Sequence, residues 1–378
     1  MKKFQNEGLI PFITDTHFGN KSFNKNVFES MMLFFEEQFF PWCLKNNIKN
    51  VIHCGDLVHN RNIIDLWINQ QIKNRFFKFF EDNNINLHIL VGNHDLYYKS
   101  SMEINYLIEN TREFSNIKIY EDQEKIQIGK YTFLMVPWVI NTKEFQFKES
   151  ADICCGHFET IGFKMTSNMY ADEGFQVGDF EKFKLIFSGH FHIKSTKKNL
   201  RYIGTQYPIT WNDYGETKGF YTLGDDFKVK YIENKVNPKF LKLYYSELNK
   251  NQKIQVAGIK KRTLIDIDVN EAIELAKNNY CKLILKNVEH QALIDTFYQS
   301  LVTVSKDAYK IEIVDSNEII ESFDVSEIEE QIQEETDLEI TVSSYLDGMT
   351  FEQDIDKNYL IEMFQELYKE SSDKVVEE

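Results

Sequence analysis

Residues 86–95 read NLHILVGNHD, an apolar run that stops at Gly92 and hands over to an amide, an imidazole and a carboxylate. A short run of Leu, Ile and Val ended by glycine fits a strand buried on both faces, with the polar residues delivered at its carboxyl end. The pattern recurs through the first 200 residues: LIPFIT before Asp15, NVIHC before Gly55, YTFLMVPW at 131–138, ADICC before Gly156 and KLIFS before Gly189. Strands of this kind, separated by helix-length stretches, predict an α/β sandwich that gathers its polar clusters along one edge. Two of the intervening stretches, residues 28–46 and 63–82, have helix length and are rich in Phe and Trp. Either their rings all cover the sheet, or one aromatic face is left over for a homodimer contact.

Beyond residue 240 the rhythm changes. TLIDIDV, NEAIELAKNN, CKLILKN, HQALIDTFYQSLVTVS and YKIEIVD read as strand, helix, strand, helix, strand, enough for a small α/β domain over residues 250–315. An acid-rich stretch follows, and then DKNYLIEMFQELYKES, which sets Tyr359, Leu360, Met363, Phe364, Leu367 and Tyr368 on one helical stripe. Such a stripe must bury itself against something. The expected division is a main domain over 1–240, the small domain over 250–315 and an acidic C-terminal segment over 316–378.

A hydrophobic content of 42% is enough for a sizeable core and excludes a disordered chain. No run approaches the roughly 18 apolar residues of a membrane span, and the start, MKKFQNEGLIPF, has no secretory pattern, so a cytoplasmic protein is expected. The five cysteines form no CxxC pair and read as buried apolar residues of a reducing compartment. A net charge of -16 argues at first against nucleic acid, but its distribution reverses that argument. Residues 1–310 hold 40 Lys and Arg against 37 Asp and Glu, while residues 311–378 hold 3 against 22. The acidity belongs to the tail.

Five clusters carry the chemistry: Asp15-Thr16-His17, Gly55-Asp56, Gly92-Asn93-His94-Asp95, Gly156-His157 and Gly189-His190-Phe191-His192. Carboxylates, imidazoles and one amide oxygen together suit divalent cations such as Mn, Fe or Zn, and one carboxylate can bridge two of them roughly 3.5 to 4 Å apart. Glycine before a ligand lets the backbone turn sharply towards the ion. Six of the nine histidines, including His59, lie in or beside these clusters, whereas His53, His88 and His290 have no such setting.

The ordered series DxH, GD, GNHD, GH and GHxH resembles the calcineurin-like metallophosphoesterases. The resemblance implies a four-layered α/β/β/α sandwich with two divalent metal ions, most readily Mn2+. One ion would be held by Asp15, His17, Asp56 and His192, the other by Asp56, Asn93, His157 and His190. His94 would contact the scissile phosphate and assist the leaving oxygen, with Asp95 orienting it. The family includes phosphatases, cyclic-nucleotide esterases and nucleases. DTHFG, GDLVHNR and the segment from Gly204-Thr205-Gln206-Tyr207-Pro208 through Trp211, Asp213, Lys218, Gly219 and Phe220 look like the SbcD-type and T-even-phage recombination endonuclease subunits. Thr205 stands where those proteins have serine, which keeps the hydroxyl. His59 matches a histidine near the DNA path of cellular members; a hydrogen bond to a metal ligand is the other reading.

This branch implies a DNA nuclease, exonucleolytic on duplexes and endonucleolytic on single strands, acting in double-strand-break repair and recombination. It also implies that the small domain is a capping domain and that the C-terminal segment binds an SMC-like ATPase. Lys253, Lys260, Lys261 and Arg262 are the tight basic cluster that could follow DNA phosphates. The Asn, Lys, Ile and Phe bias suggests an AT-rich genome such as a phage's. Two competing readings are a phosphoesterase for small or protein substrates and a silent scaffold of the same fold.

Overall fold

The computed structural model describes residues 1–20, 24–60, 63–98, 101–165, 170–246, 254–286, 291–305 and the strand 311–315. Two sheets form the main body. The six-stranded sheet runs in the order Val229–Glu233, Gly219–Leu223, Ile10–Ile13, Asn50–His53, Asn86–Leu90, Ile117–Tyr120, and its last four strands are parallel. The seven-stranded sheet runs Lys2–Phe4, Glu124–Ile128, Tyr131–Val136, Ile153–His157, Leu185–Gly189, Leu200–Tyr202, Ser195–Lys197. Side-chain alternation explains why these strands are apolar throughout. Phe12, Ile52 and Leu90 point between the sheets, where they meet Phe133, Cys155 and Phe187, while Ile13, Val51, Leu87 and Ile89 point to the helices. The Phe12 and Phe187 rings stack at 3.9 Å and join the two sheets directly.

The helical layer covers the six-stranded sheet. Asn24 caps the helix Lys25–Phe34, which widens into a π-turn over Phe35–Phe39 before continuing as Phe40–Lys45. Pro41 follows the widened turn, where it lacks an N–H and its ring crowds the carbonyl one turn back. The second run, Leu66–Gln71, Ile72–Phe77 and Lys78–Asp82, is capped by Asp65 and has the same wide turn. Phe28, Phe34, Phe35, Phe39, Phe40, Phe76, Phe77 and Phe80 are all buried in the layer against the sheet. The aromatic content that raised a homodimer contact is therefore used mainly inward; within residues 28–46 and 63–82, Leu44, Ile63, Ile64 and Leu66 are the large apolar side chains left exposed.

Over the outer face of the seven-stranded sheet lie Phe145, Phe147, Phe158, Phe163, Phe175, Phe180 and Phe183, carried by loops and by the 3-10 turn Val177–Phe180. The α/β sandwich is formed, with a fourth layer of packed rings rather than of α-helix among the described residues. The third sheet has the order Ile265–Ile267, Ile254–Ala257, Phe240–Ser246, Tyr280–Lys286, Ile311–Asp315. The helices Val269–Ala276 and Gln291–Val304 bury Ala272, Ala276, Phe297 and Leu301 against it. Phe240–Ser246 precedes residue 250, where the sequence pattern put the start of this region, and it pairs in parallel along the whole of Tyr280–Lys286. Trp211 stacks on Phe240 at 4.7 Å, and Lys242 and Arg262 lie over the Tyr214 ring, so the main body and the third sheet share an aromatic seam. Lys253 and the acidic segment from 316 onward, including its apolar stripe, lie outside the described residues. No helix among the described residues is long and apolar enough to cross a membrane.

Candidate metal centre

The parallel strands of the six-stranded sheet end together, and the residue types at their ends allow unusually tight turns. Asp15, His17 and Asp56 adopt left-handed backbone angles, with φ of 47°, 45° and 56°. For non-glycine residues this geometry is costly and persists only where neighbours enforce it. Here the turns hold each other: the Asp15 N–H donates to the Gly55 carbonyl at 2.9 Å and the His17 N–H to the Asp56 carbonyl at 3.2 Å. Gly92 is required on other grounds, because a Cβ there would lie 2.2 Å from Asp56 Oδ1 and 2.3 Å from its backbone nitrogen.

Asp95 is the keystone of this edge. Its carboxylate accepts the backbone N–H groups of Asp56 (3.0 Å), Leu57 (2.9 Å), Val58 (3.2 Å) and Gly92 (2.9 Å). That moves it from the expected role, orienting the His94 ring, to a clamp on the backbone that carries Asp56. His94 is oriented instead by its Nδ1, 2.7 Å from the His59 carbonyl oxygen, and its own N–H donates to Asp56 Oδ1 at 2.8 Å. His59 lies with its Nδ1 3.4 Å from His17 Nδ1.

The seven-stranded sheet supplies the opposite wall. His157 ends its strand and donates from Nδ1 to the Cys54 carbonyl at 2.7 Å, which turns Nε2 to Asp56 Oδ2 (3.2 Å) and Asn93 Oδ1 (3.0 Å). The His190 backbone N–H donates to Asp15, and its Nδ1 lies 3.2 Å from Asn93 Oδ1. His192 brings Nε2 to 3.0 Å from His17 Nε2. The donor atoms of Asp15, His17 and His192 lie within 4.8 Å of one another, and so do those of Asp15, Asp56 and His157. Asp56 Oδ2 sits between them, 3.8 Å from His17 Nε2 and 3.2 Å from His157 Nε2. Two imidazole nitrogens facing each other beside carboxylates is a donor set that suits divalent cations.

Comparison with known proteins gives the class. Residues 9–194 match the family model for the calcineurin-like phosphoesterases. The chain carries a calcineurin-like phosphoesterase domain. Exonuclease subunit 1 of Enterobacteria phage T4 is 26% identical over 342 residues, spanning 89% of this chain and 91% of that protein. Among solved structures, a protein of unknown function from Aquifex aeolicus is 15% identical with a TM-score of 0.24, covering 50% of this chain and 82% of its own. A cold-active protein-tyrosine phosphatase of a psychrophilic Shewanella is 10% identical with a TM-score of 0.30, covering 71% and 82%.

The phosphoesterase is a metal-dependent phosphodiesterase, and the electrostatics of its centre agree with that class. Burial holds the His17 and His190 rings well below the ordinary histidine range and brings His192 down to about 4, so all three are neutral donors. Burial works against the Asp56 charge, yet His157 and His94 outweigh it and hold that carboxyl well below its usual range. Burial pushes Asp15 up to about 7, with His157 pulling it back and Asp56 adding to the rise. The His157 ring is disfavoured as a cation by burial but raised to about 9 by Asp56. A proton thus occupies part of the centre where a cation would compete with it.

Every residue read as a ligand in the phosphoesterase comes to this one centre. Trp138 was missed: its ring lies 5.1 Å from that of His190 and 6.0 Å from that of His157. Its signal was the strand YTFLMVPW, which ends like the others but on an aromatic. The five cysteines are free and buried, as read. Arg262 of the basic cluster is turned onto Tyr214 and Glu216, where it braces the seam.

Proposed function

We propose that this phosphoesterase is a two-metal DNA nuclease, an exonuclease on duplex ends and an endonuclease on single strands, working with an SMC-like ATPase in double-strand-break processing and recombination. The observation that carries the reading is the place of the Asp56 carboxylate at the junction of the sheets, its Oδ2 3.8 Å from His17 Nε2 and 3.2 Å from His157 Nε2, within reach of donors for both ions. Similarity of nearly the whole chain to a phage exonuclease subunit supports DNA as the substrate. One cation would be held by Asp15, His17, Asp56 and His192, the other by Asp56, Asn93, His157 and His190, with Mn2+ well suited to this mix of oxygen and imidazole donors. Bound cations would supply Lewis acidity, making water available as a nucleophile near neutral pH and offsetting the charge of the phosphate.

The chain's own groups do the remaining work. His94 has Nδ1 committed to the His59 carbonyl, so a proton given to the leaving oxygen passes through Nε2. His59 fixes that ring through its backbone and meets His17 through its own imidazole. Asp95 keeps Asp56 and His94 in register by holding the backbone between them.

The domains follow the same proposal: a nuclease domain that ends before residue 240, a cap that begins with the strand Phe240–Ser246 and runs to 315, and an ATPase-binding segment over 316–378. The acidic segment would dock on a basic face of the ATPase and keep DNA away from it. A homodimer through residues 28–46 and 63–82 would use the exposed Leu44, Ile63, Ile64 and Leu66, and a monomeric mass by light scattering would remove it.

The deciding assay is Mn2+-dependent release of nucleotides from linear duplex DNA and cutting of single-stranded circles. His94→Ala and Asp15→Ala are expected to lower both by about 100-fold or more. Hydrolysis of a chromogenic phosphodiester with DNA left intact would overturn the nuclease reading in favour of a small-substrate esterase. Absence of bound metal by elemental analysis, with no activity, would overturn the enzyme reading.

A further inference from the structure

The loop that carries His190 and His192 leaves its strand at Gly189, and His190 has a left-handed φ of 87°. Strain at its first residue has to be balanced by contacts further along. Those contacts converge on the His192 carbonyl, which accepts the Thr205 N–H at 3.2 Å and the Lys218 ammonium at 3.0 Å. Gly204 lets the turn press this close, because a Cβ there would lie 2.8 Å from the His192 oxygen and 2.7 Å from the Lys194 nitrogen.

Lys218 is nearly inaccessible, with 5% of its side chain exposed, and its Nζ also donates to Thr205 Oγ1 at 2.7 Å and pairs with Asp213. Three donors meet three acceptors, so the ammonium is saturated. The second oxygen of Asp213 accepts the backbone N–H groups of Ile209 (2.8 Å) and Thr210 (3.0 Å). The pair therefore ties the 209–213 segment, the 204–205 turn and the His192 backbone into one unit. A buried ion pair is a poor way to gain stability, since two apolar side chains of similar volume commonly do as well. What apolar side chains cannot do is hold a carbonyl.

We propose that Asp213 and Lys218 are positioning residues for His192: Lys218 fixes its carbonyl, Asp213 fixes Lys218, and together they place the ring that completes the Asp15, His17 and His192 donor set. The proposal rests on the reading of His192 as a metal ligand. It is specific to one of the two cation positions, because the donors of the other have their own supports: His157 the Cys54 carbonyl, the Asn93 turn Asp56 and Asp95, and His190, though on the same loop, its backbone N–H bond to Asp15 and its Nδ1 beside Asn93 Oδ1.

Calorimetric titration of metal-free full-length protein with Mn2+ tests it. Removing one partner alone strands a buried charge, so the informative variants change both: Asp213→Leu with Lys218→Met, and, should that pair fail to fold, Asp213→Asn with Lys218→Gln. The wild type is expected to take two ions. The folded double variant is expected to keep one affinity and to lose roughly 10- to 100-fold in the other. A purely structural pair would lower the thermal midpoint in EDTA while weakening both ions alike or neither, and either result would overturn the positioning role. Fewer than two ions on the wild type, or unchanged binding in His192→Ala, would overturn the ligand reading itself, and the inference with it.

Discussion

The two edges that meet at the metal centre solve the same problem by different means. On the six-stranded sheet, Asp15, His17 and Asp56 are aimed by their own backbone, in left-handed turns that Gly55, Gly92 and the Asp95 carboxylate hold together. On the seven-stranded sheet, His157 stays on its strand and is steered by the Cys54 carbonyl of the opposite sheet, while His192 is held by a side-chain pair that starts 21 residues later in the sequence. The first device joins turns some 40 residues apart, but it works through backbone beside each ligand and leaves its mark there as Gly, Asp and Asn. The second works through side chains remote from the ligands they hold. On the proposed two-ion arrangement, damage to the first should reach both cations, because Asp56 would be common to them; damage to the second should reach one.

The largest effect is expected at Gly92. Gly92→Ala drives a Cβ into Asp56 and should abolish binding of both ions in the Mn2+ titration, whereas Gly178→Ala, with nothing within 4 Å, should leave binding unchanged. If Gly92→Ala kept one ion at wild-type affinity, Asp56 would not be the shared element. Next comes Asp95→Ala, which strands four backbone N–H groups and should cost on the order of 3 kcal/mol in urea denaturation of the metal-free protein. A loss under about 1 kcal/mol would show that the loop is held by something other than this carboxylate. Gly204→Ala should be milder, pushing the His192 loop outward and weakening one ion about tenfold.

The smallest effect lies away from the centre and checks that the six-stranded sheet is as rigidly buried there as at its edge. Burial lowers His88 to about 3, and its Nδ1 and Nε2 face Tyr120 and the Asn50 side chain. The folded protein then binds fewer protons here than the unfolded chain between about pH 6.5 and 3, so this group's contribution to stability falls as the pH is lowered through that window. His88→Gln should flatten the decline in urea midpoint between pH 6.5 and pH 5; an unchanged slope would mean that the ring is hydrated.

Much of this was legible in the sequence, for a physical reason. A strand buried on both faces must be apolar and a turn that aims a ligand must bend, so NLHILVGNHD announces both the strand and the ligand. The strand, helix, strand, helix, strand order after residue 263 was also readable, because each element has its own period. Phe240–Ser246 was not recognised as part of that region, since FLKLYYS lies directly after the main body and its longer pairing is with a strand some 40 residues away. The outer ring layer escaped because Phe145, Phe147 and Phe175 pack from loops and Phe180 from a single short turn, where no period exists to be read. Asp95 stood in the right cluster, but its partners are backbone amides, which no sequence motif displays. Asp213 and Lys218 stood out only by resemblance, and nothing in their spacing pointed to His192.

The most direct test of the central claim is a crystal of the Mn2+-soaked protein examined at the manganese absorption edge. The account predicts two anomalous peaks roughly 3.5 to 4 Å apart, one beside Asp15, His17 and His192, the other beside Asn93, His157 and His190, with the Asp56 carboxylate between them. A single peak, or a pair that leaves Asp56 uncoordinated, would contradict it.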